Sequence, residues 1–443
     1  MRHEPSLVHP SIEHRRPSDL RPYAGNARRH SKTQIAQIAA SIERFGFTNP
    51  VLVSDDDEII AGHGRVAAAR KLGLATVPTL RLSHLKPEER RAYVLADNKL
   101  ALNAGWDNEM LAIELQALVE LDFDLASIGF SVAEADFVLD AAREGNPDGK
   151  PAPEDDVKIV DGDPVTRGGD IWILGRHKLV CGDAREPSAY AALMPGERAD
   201  LIFTDPPYNV PIDGHVTGLG KLRHREFAMA TGEMSDAEFT SFLIESLAVS
   251  AGACRDGAIA FVCMDWRHMG ELLAAGKAVF TELKNVCVWN KANGGMGTFY
   301  RSKHELVFVF KVGTAPHTNT FGLGGGGRYR TNVWDYPGVS SLGAGRKAAL
   351  EMHPTVKPVA LVADAIRDCT KRGDIVLDAF GGSGTTLIAA ETCGRSARLI
   401  EVDPLYCDTI IRRFEAYTGK SAMLAGSDLS FEDVEAKRLT IAA

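Results

Sequence analysis

No two cysteines in this sequence are spaced as Cys-x-x-Cys. The seven present, at positions 181, 254, 263, 287, 369, 393 and 407, are scattered and odd in number. That excludes a disulfide framework and a cysteine-built structural zinc site, and it leaves them to read as core thiols. No metal is expected. No uninterrupted apolar run approaches the length of a membrane span, so no contact with a membrane is expected. The opening residues MRHEPSLVHPSIEHRRPSDL lack the apolar centre of a secretory signal, which points to the cytoplasm. Charge of one sign is not in large excess either: 50 basic and 59 acidic side chains give a formal net charge of −9. Such a total does not advertise a polyanion binder, although it can conceal a local basic face. Two nucleotide signatures are also missing. No Walker lysine follows the chain's glycine-rich turn, and G-x-G-x-x-G does not follow a strand there, which disfavours phosphate-loop NTPase and dinucleotide chemistry.

What is present suffices for two or three domains, each with its own core. In KTQIAQIAASIERFG, Ile35, Ile38, Ala39 and Ile42 recur at helical spacing and Gly46 supplies a stop. NPVLVSDDDEIIAG reads as two strands around an acidic turn. GHGRVAAARKLG sets Gly62 and Gly64 before an alanine-rich helix ending at Gly73. A glycine loop opening a helix is an anion seat, because free N–H groups and the helix dipole converge there, although such glycines more often serve only a tight turn. Apolar stripes at Leu111, Leu115 and Leu118, then Ala133, Phe137 and Ala141, mark a helical spacer. EGNPDGKPAPEDD, rich in proline and acid, has linker composition. The expected organisation is a domain over 17–102, the spacer over 103–144, the linker over 145–157 and a second domain over 158–425.

The N-terminal segments PYAGNARRH, SIERFGFTNPVLVS, EIIAGHGRVAAARKLGLATVPTL and ADNKLAL together resemble the N-terminal domain of the ParB/sulfiredoxin-like family. In partition ParB proteins the equivalent loop and an upstream Asn-Pro-Arg box bind a nucleotide, so the resemblance implies a nucleotide or protein partner here. Gly62-His63-Gly64-Arg65 stands where that family prefers Gly-Glu-Arg-Arg, and Asn26-Ala27-Arg28 where it prefers Asn-Pro-Arg. Both departures argue against nucleotide hydrolysis. The reactive cysteine of sulfiredoxin has no counterpart, since the first cysteine is Cys181.

The second domain carries the chemistry. GGDIWILGRHKLVCGDA reads as two strands joined by a Gly-Arg-His turn. In LIFTDPPYNV a short apolar strand ends at Asp205, and Pro206 and Pro207, which cannot donate to a ladder, force the chain out of the sheet. Asp205 and Tyr208 are thereby presented at a strand's carboxyl end, where open α/β sheets put their ligands. In GDIVLDAFGGSGTTLIAAETCGRSARLIEVD, a strand ends at Asp378, a turn with Gly381, Gly382 and Gly384 follows, and a helix opens at Thr385. A second strand ends at Glu401. This β-loop-α-β spacing suits a nucleoside cofactor: glycines allow close backbone approach, and the distal acid can hold ribose hydroxyls. Asp403 is an alternative to Glu401. Between residues 284 and 358, ten Lys/Arg face three acids, a local basic stretch within an acidic chain.

Taken together, Asp205-Pro206-Pro207-Tyr208, Asp378-Ala379-Phe380-Gly381-Gly382-Ser383-Gly384-Thr385 and His353-Pro354-Thr355-Val356-Lys357-Pro358 resemble the amino-group DNA methyltransferases, in the motif order of the β class, over roughly 168–418. The resemblance implies an α/β, Rossmann-like S-adenosylmethionine-dependent domain behind a small α/β ParB-like one. It implies that Asp205 and the Pro206 carbonyl, held rigid by the paired prolines Pro206 and Pro207, accept the N–H groups of an exocyclic amine, while Tyr208 stacks on the flipped base. Asp378, Phe380, Gly381, Gly382, Ser383, Gly384, Thr385 and Glu401 would hold the cofactor, with Thr355 and Lys357 near its carboxylate and Asp183 near its adenine. Double-stranded DNA is the implied partner, with target recognition over roughly 284–352 and phosphate contacts from Arg328 and Arg330 beside Tyr329, Trp334 and Tyr336. Lys221, Arg223 and Arg225 would lie on a flap over the DNA. Asp205 with Tyr208 leans toward adenine N6. Cytosine N4 is the near alternative, and a non-enzymatic partition-type DNA-binding protein the alternative of another class. A homodimer and a companion restriction enzyme are both compatible with such a chain.

Overall fold

Val51, Val53, Ile59, Val66, Ala69 and Val77 are almost wholly buried together with Leu20, and this small apolar cluster organises the first of two units, Met1–Gly145 and Asn146–Ala443. The computed structural model describes residues 11–103, 105–121, 123–131, 134–135, 138–139, 162–209, 232–291, 299–321, 330–337 and 356–440.

In the first unit, β1 (Ile12–Arg15), β2 (Arg21–Pro22), β3 (Val51–Val53), β4 (Glu58–Ala61) and β5 (Val77–Arg81) form one sheet in the order β1-β5-β3-β4-β2. β3 and β4 are the antiparallel pair expected around the acidic turn. The helix Lys32–Phe45 starts on Ser31, whose hydroxyl accepts from Gln34 N, and stops at Gly46, which takes φ 80. Gly62, at φ 102, opens the helix His63–Lys71. Arg65 at that turn donates to the Asn49 carbonyl, and His63 Nε2 accepts from Tyr23 N. The spacer contains the helix Asn108–Glu120, on which Leu111 and Leu115 pack against Ala135 and Leu139. The expected linker over 145–157 lies outside the described residues.

The second unit is one ten-stranded sheet. Its strands are β6 (Ile171–Leu174), β7 (His177–Cys181), β8 (Ala199–Thr204), β9 (Cys254–Met264), β10 (Glu282–Asn290), β11 (His304–Lys311), β12 (Val333–Asp335), β13 (Ile375–Asp378), β14 (Ser396–Glu401) and β15 (Met423–Leu424), in the order β12-β10-β11-β9-β8-β13-β14-β7-β6-β15. The central five, β9-β8-β13-β14-β7, run parallel. Strands covered on both faces must be apolar on both, which is why AIAFVCM in β9 is buried at every position. The turn between β6 and β7 uses Gly175 at φ 60, and His177 begins the strand, where its ring is fully buried.

Connectivity fixes where a ligand can sit. β8 leads through the helix Asp236–Gly252 to β9 on one side, and β13 leads through the helix Thr385–Thr392 to β14 on the other. The neighbours β8 and β13 therefore flank the point where strand order reverses, and a crevice opens beyond their carboxyl ends. All seven cysteines are buried free thiols. Among the described residues no helix is long and apolar enough to cross a membrane.

Candidate active site

Asp205 just past β8, Asp378 ending β13 and Glu401 ending β14 stand at the carboxyl ends of neighbouring parallel strands. The register pairs Leu377 with Ile202 and Asp378 with Leu399, so the acids line one edge of the sheet. Two turns separate the chemistry. One follows β8 and carries Asp205 to Tyr208, and the other follows β13 and carries the glycines.

Asp378 knits its own turn together. Its Oδ1 accepts from Thr204 Oγ1 at 2.9 Å and Phe380 N at 3.1 Å, and its Oδ2 from Thr386 Oγ1 at 2.6 Å. Burial pushes its carboxyl up to about 7 against the pull of those three donors. Gly384 takes φ 84, and a Cβ there would meet the Ile410 side chain at 3.1 Å, so only glycine fits. Gly381 has Ile410 and the Ile400 carbonyl as close. Arg413, 7 % exposed, braces the turn by donating to the Ser383 carbonyl at 2.9 Å and Thr385 Oγ1 at 3.1 Å. Phe380 packs beside Phe242, ring centroids 5.9 Å apart.

Glu401 reaches back over the glycines: Oε2 accepts from Gly382 N at 2.7 Å and Oε1 from Asp403 N at 2.8 Å. Burial raises it to about 7 against those two N–H groups. Asp403, the alternative acid, accepts from Leu405 N and caps the helix Pro404–Thr418. Asp183 follows β7, and both its oxygens accept from Arg185, which holds its carboxyl below the usual range. Gly182 N donates to the Glu401 carbonyl, which keeps Asp183 at the same strand ends.

The turn after β8 holds a buried charge cluster. Tyr208 donates its hydroxyl to Asp205 Oδ1 at 2.5 Å, and Lys357 Nζ donates to Asp205 Oδ2 at 2.6 Å and to the Tyr208 oxygen at 3.1 Å. The same ammonium lies 2.9 Å from Glu305 Oε2, while Lys291 pairs with Glu305 Oε1. Two carboxylates and two ammoniums thus balance. Burial raises the Asp205 carboxyl, opposed by Lys357 and aided by the negative charge of Glu305. Glu305, despite burial, is held down at about 2 by Lys357 and Lys291. Lys357, also against burial, is raised by Asp205 and Glu305 and stays protonated.

Several of these partners were not singled out in the sequence. Glu305 and Lys291 belong to β11 and the residue after β10, on the antiparallel wing of the sheet. Asn209, at φ 52, has a side chain that donates to the Met234 carbonyl at 2.7 Å and accepts from Gly232 N at 3.1 Å.

Lys357, expected near a cofactor carboxylate, has its ammonium on Asp205, Tyr208 and Glu305, where a cation 4 % exposed finds compensation. Arg330, expected to contact DNA phosphate, donates to Asp368 at 2.9 Å, within the helix Val359–Cys369, and stacks 5.1 Å from the buried Trp334. Lys221, Arg223, Arg225, Arg328, Tyr329 and Thr355 lie outside the described residues. Exposed nearby are Phe299 and Tyr300, 87 % and 82 % exposed, in edge contact at 4.8 Å and followed by Arg301.

Comparison with known proteins places families on these segments. Residues 199–412 match the DNA methylase family of the N6/N4 type, residues 3–99 the ParB N-terminal domain and residues 109–168 the ParB-methyltransferase HTH domain. The chain is 51 % identical over 80 residues to the ParB-like nuclease domain-containing protein YnaK of Escherichia coli K12, covering 18 % of this chain and 92 % of that one. It is 28 % identical over 276 residues to the DNA adenine methyltransferase YhdJ of the same organism, covering 55 % and 84 %. Among solved structures, the M1.HpyAVI–SAM complex is 21 % identical with a TM-score of 0.38, covering 53 % and 98 %. The chain is a DNA methyltransferase of the N6/N4 family that carries a ParB N-terminal domain ahead of its catalytic one.

Proposed function

We propose that the chain transfers the methyl group of S-adenosylmethionine to the exocyclic N6 of adenine in double-stranded DNA. The observation that carries this reading is Asp205-Pro206-Pro207-Tyr208 at the carboxyl end of β8, one strand away from a glycine turn at the switch point of the sheet. The residues fit the cofactor: Gly382, with only the Phe380 carbonyl within 4 Å of an added Cβ, leaves room for close backbone approach, the helix Thr385–Thr392 directs its free N–H groups at the crevice, and Glu401 stands over the turn with lone pairs for ribose hydroxyls. Phe380 and Asp183 border the adenine end. When bound, the cofactor supplies an electrophilic methyl group.

The chain's own residues must prepare the nucleophile. An exocyclic amine is weakly nucleophilic because its lone pair is delocalised into the base. Asp205 accepts one N–H and the Pro206 carbonyl the other, so the nitrogen becomes tetrahedral and directs its lone pair at the methyl group. Pro206 is buried and Pro207 half-buried, which keeps the two acceptors from reorganising. Tyr208 stacks on the base once it has left the duplex, offsetting part of an unstacking cost of a few kcal/mol. Holding donor and acceptor in line removes much of the remaining barrier.

Phe299, Tyr300 and Arg301, which precede the strand bearing Glu305, form the DNA-facing rim in this reading, joined by Lys221, Arg223, Arg225 and Arg328. Asp in the first position of the Asp-Pro-Pro-Tyr motif favours adenine, in keeping with the relative named as an adenine methyltransferase. Incubation with duplex DNA and labelled S-adenosylmethionine, followed by nucleoside mass analysis, tests the reaction. N6-methyladenine is expected, N4-methylcytosine would overturn the choice of base, and unlabelled DNA the reaction itself.

A further inference from the structure

We infer that Glu305 is a positioning residue of the transfer reaction: it retains Lys357 while Asp205 exchanges that lysine for the target amine. The inference rests on the functional reading above. Asp205 accepts at both oxygens, Oδ1 from the Tyr208 hydroxyl at 2.5 Å and Oδ2 from Lys357 at 2.6 Å. The target amine competes with these donors for the lone pairs of Asp205. Lys357 is 4 % exposed, so its charge cannot retreat into water when it leaves Asp205. Its second anion is Glu305, 2.9 Å away and 7 % exposed, and Glu305 is itself anchored through its other oxygen by Lys291.

Those contacts decide what the exchange costs. With Glu305 present, the lysine gives up one charge-assisted hydrogen bond and keeps a carboxylate partner. Without it, every departure from Asp205 leaves a buried ammonium unpaired, so the lysine stays on the acceptor and excludes the base. No covalent bond is involved. One N–H donor replaces another on Asp205, and Lys357 stays protonated throughout.

The groups facing Asp205 are Lys357, Glu305 and Tyr208, with Cys263 of β9 and Asp378 of β13 more remote and Lys291 acting through Glu305. Glu305→Gln removes one negative neighbour and tightens the hold of Lys357. Both changes favour ionised Asp205.

The test is Glu305→Gln in the full chain, assayed for methyl transfer to duplex DNA across pH and, without DNA, for S-adenosylmethionine binding. The expected result is a kcat lower by about tenfold to a hundredfold, cofactor affinity within about twofold of wild type, an acidic limb of kcat/KM displaced to lower pH, and substantial recovery in Glu305→Asp. A kcat equal to wild type overturns the inference. So does a parallel loss of kcat and cofactor binding with the limb unmoved, which is what a residue that merely shapes its strand would give. The wild-type chain assayed alongside separates the two levels: if it leaves DNA unmethylated, the functional reading fails and this inference with it, whereas equal methylation by wild type and Glu305→Gln removes this inference alone.

Discussion

At the scale of single residues, charge compensation explains more of the site than shape does. Asp205 is half-buried where desolvation disfavours its charge, and Lys357 restores it. An ionised Asp205 is needed to accept an amine N–H. Because burial raises its carboxyl above the ordinary 3.8, the acidic limb of kcat/KM is expected above that value, with activity lost as pH falls through it. Asp205→Ala should lower kcat on the order of a hundred- to a thousandfold, the range found when one preorganised polar group is removed from an active site. Cofactor binding, read by calorimetry, should survive, since the glycine turn belongs to another strand; loss of both together would contradict the separation of the two turns. Asp205 and Tyr208 were legible in the sequence because two adjacent prolines break a strand at them. Glu305 and Lys291 were not, because an acid and a lysine flanking apolar strands look like solvated strand ends until the sheet folds them against Lys357. The ion pairs of Arg330 were hidden for a related reason: Asp364 and Asp368 lie on a helix more than thirty residues downstream.

At the scale of elements, the turn between β13 and the helix Thr385–Thr392 is the most constrained piece of backbone in the site. Gly384 combines a left-handed φ of 84 with the Ile410 side chain 3.1 Å from any added Cβ. Gly384→Ala is therefore expected to destabilise the second unit by about 1–3 kcal/mol and to weaken cofactor binding, checked by thermal unfolding with and without S-adenosylmethionine. A variant of unchanged stability that still binds would show that the turn can relax. This element was readable from glycine spacing alone, since no other residue tolerates both constraints. Its braces were not. Arg413 reaches the Ser383 carbonyl from the helix Pro404–Thr418, and Thr204 reaches Asp378 from a neighbouring strand. The parallel order of the central strands was implied by alternating strand and helix patterns, whereas the antiparallel wing of β10 and β11, which delivers Glu305, has no such signature.

At the scale of the whole molecule, the second unit is tied through its interior by polar contacts as well as by its core. His177 begins β7 with its ring fully buried; Nδ1 accepts from Ala397 N at 2.9 Å, so the proton resides on Nε2, which faces Glu391 at 2.9 Å. Burial lowers the imidazole below its ordinary 6.5, and Glu391 opposes only part of that. The native state thus holds the neutral ring while the unfolded chain takes up a proton below about 6.5. The contribution of His177 is fully present above that pH and is lost as pH falls through it. His177→Gln should be less stable than wild type by about 1–3 kcal/mol near pH 8, and the gap should narrow between pH 7 and pH 5. Denaturant unfolding at several pH values checks this; a constant gap would mean the imidazole titrates alike in both states.

Asn209 has a consequence for the turn that precedes it. Its amide fastens the point where the chain departs after Tyr208 to the point where it returns at Gly232 and Met234. With departure and return tied by one side chain, the aspartate and tyrosine just upstream are anchored from the helix that follows as well as from the strand that precedes them.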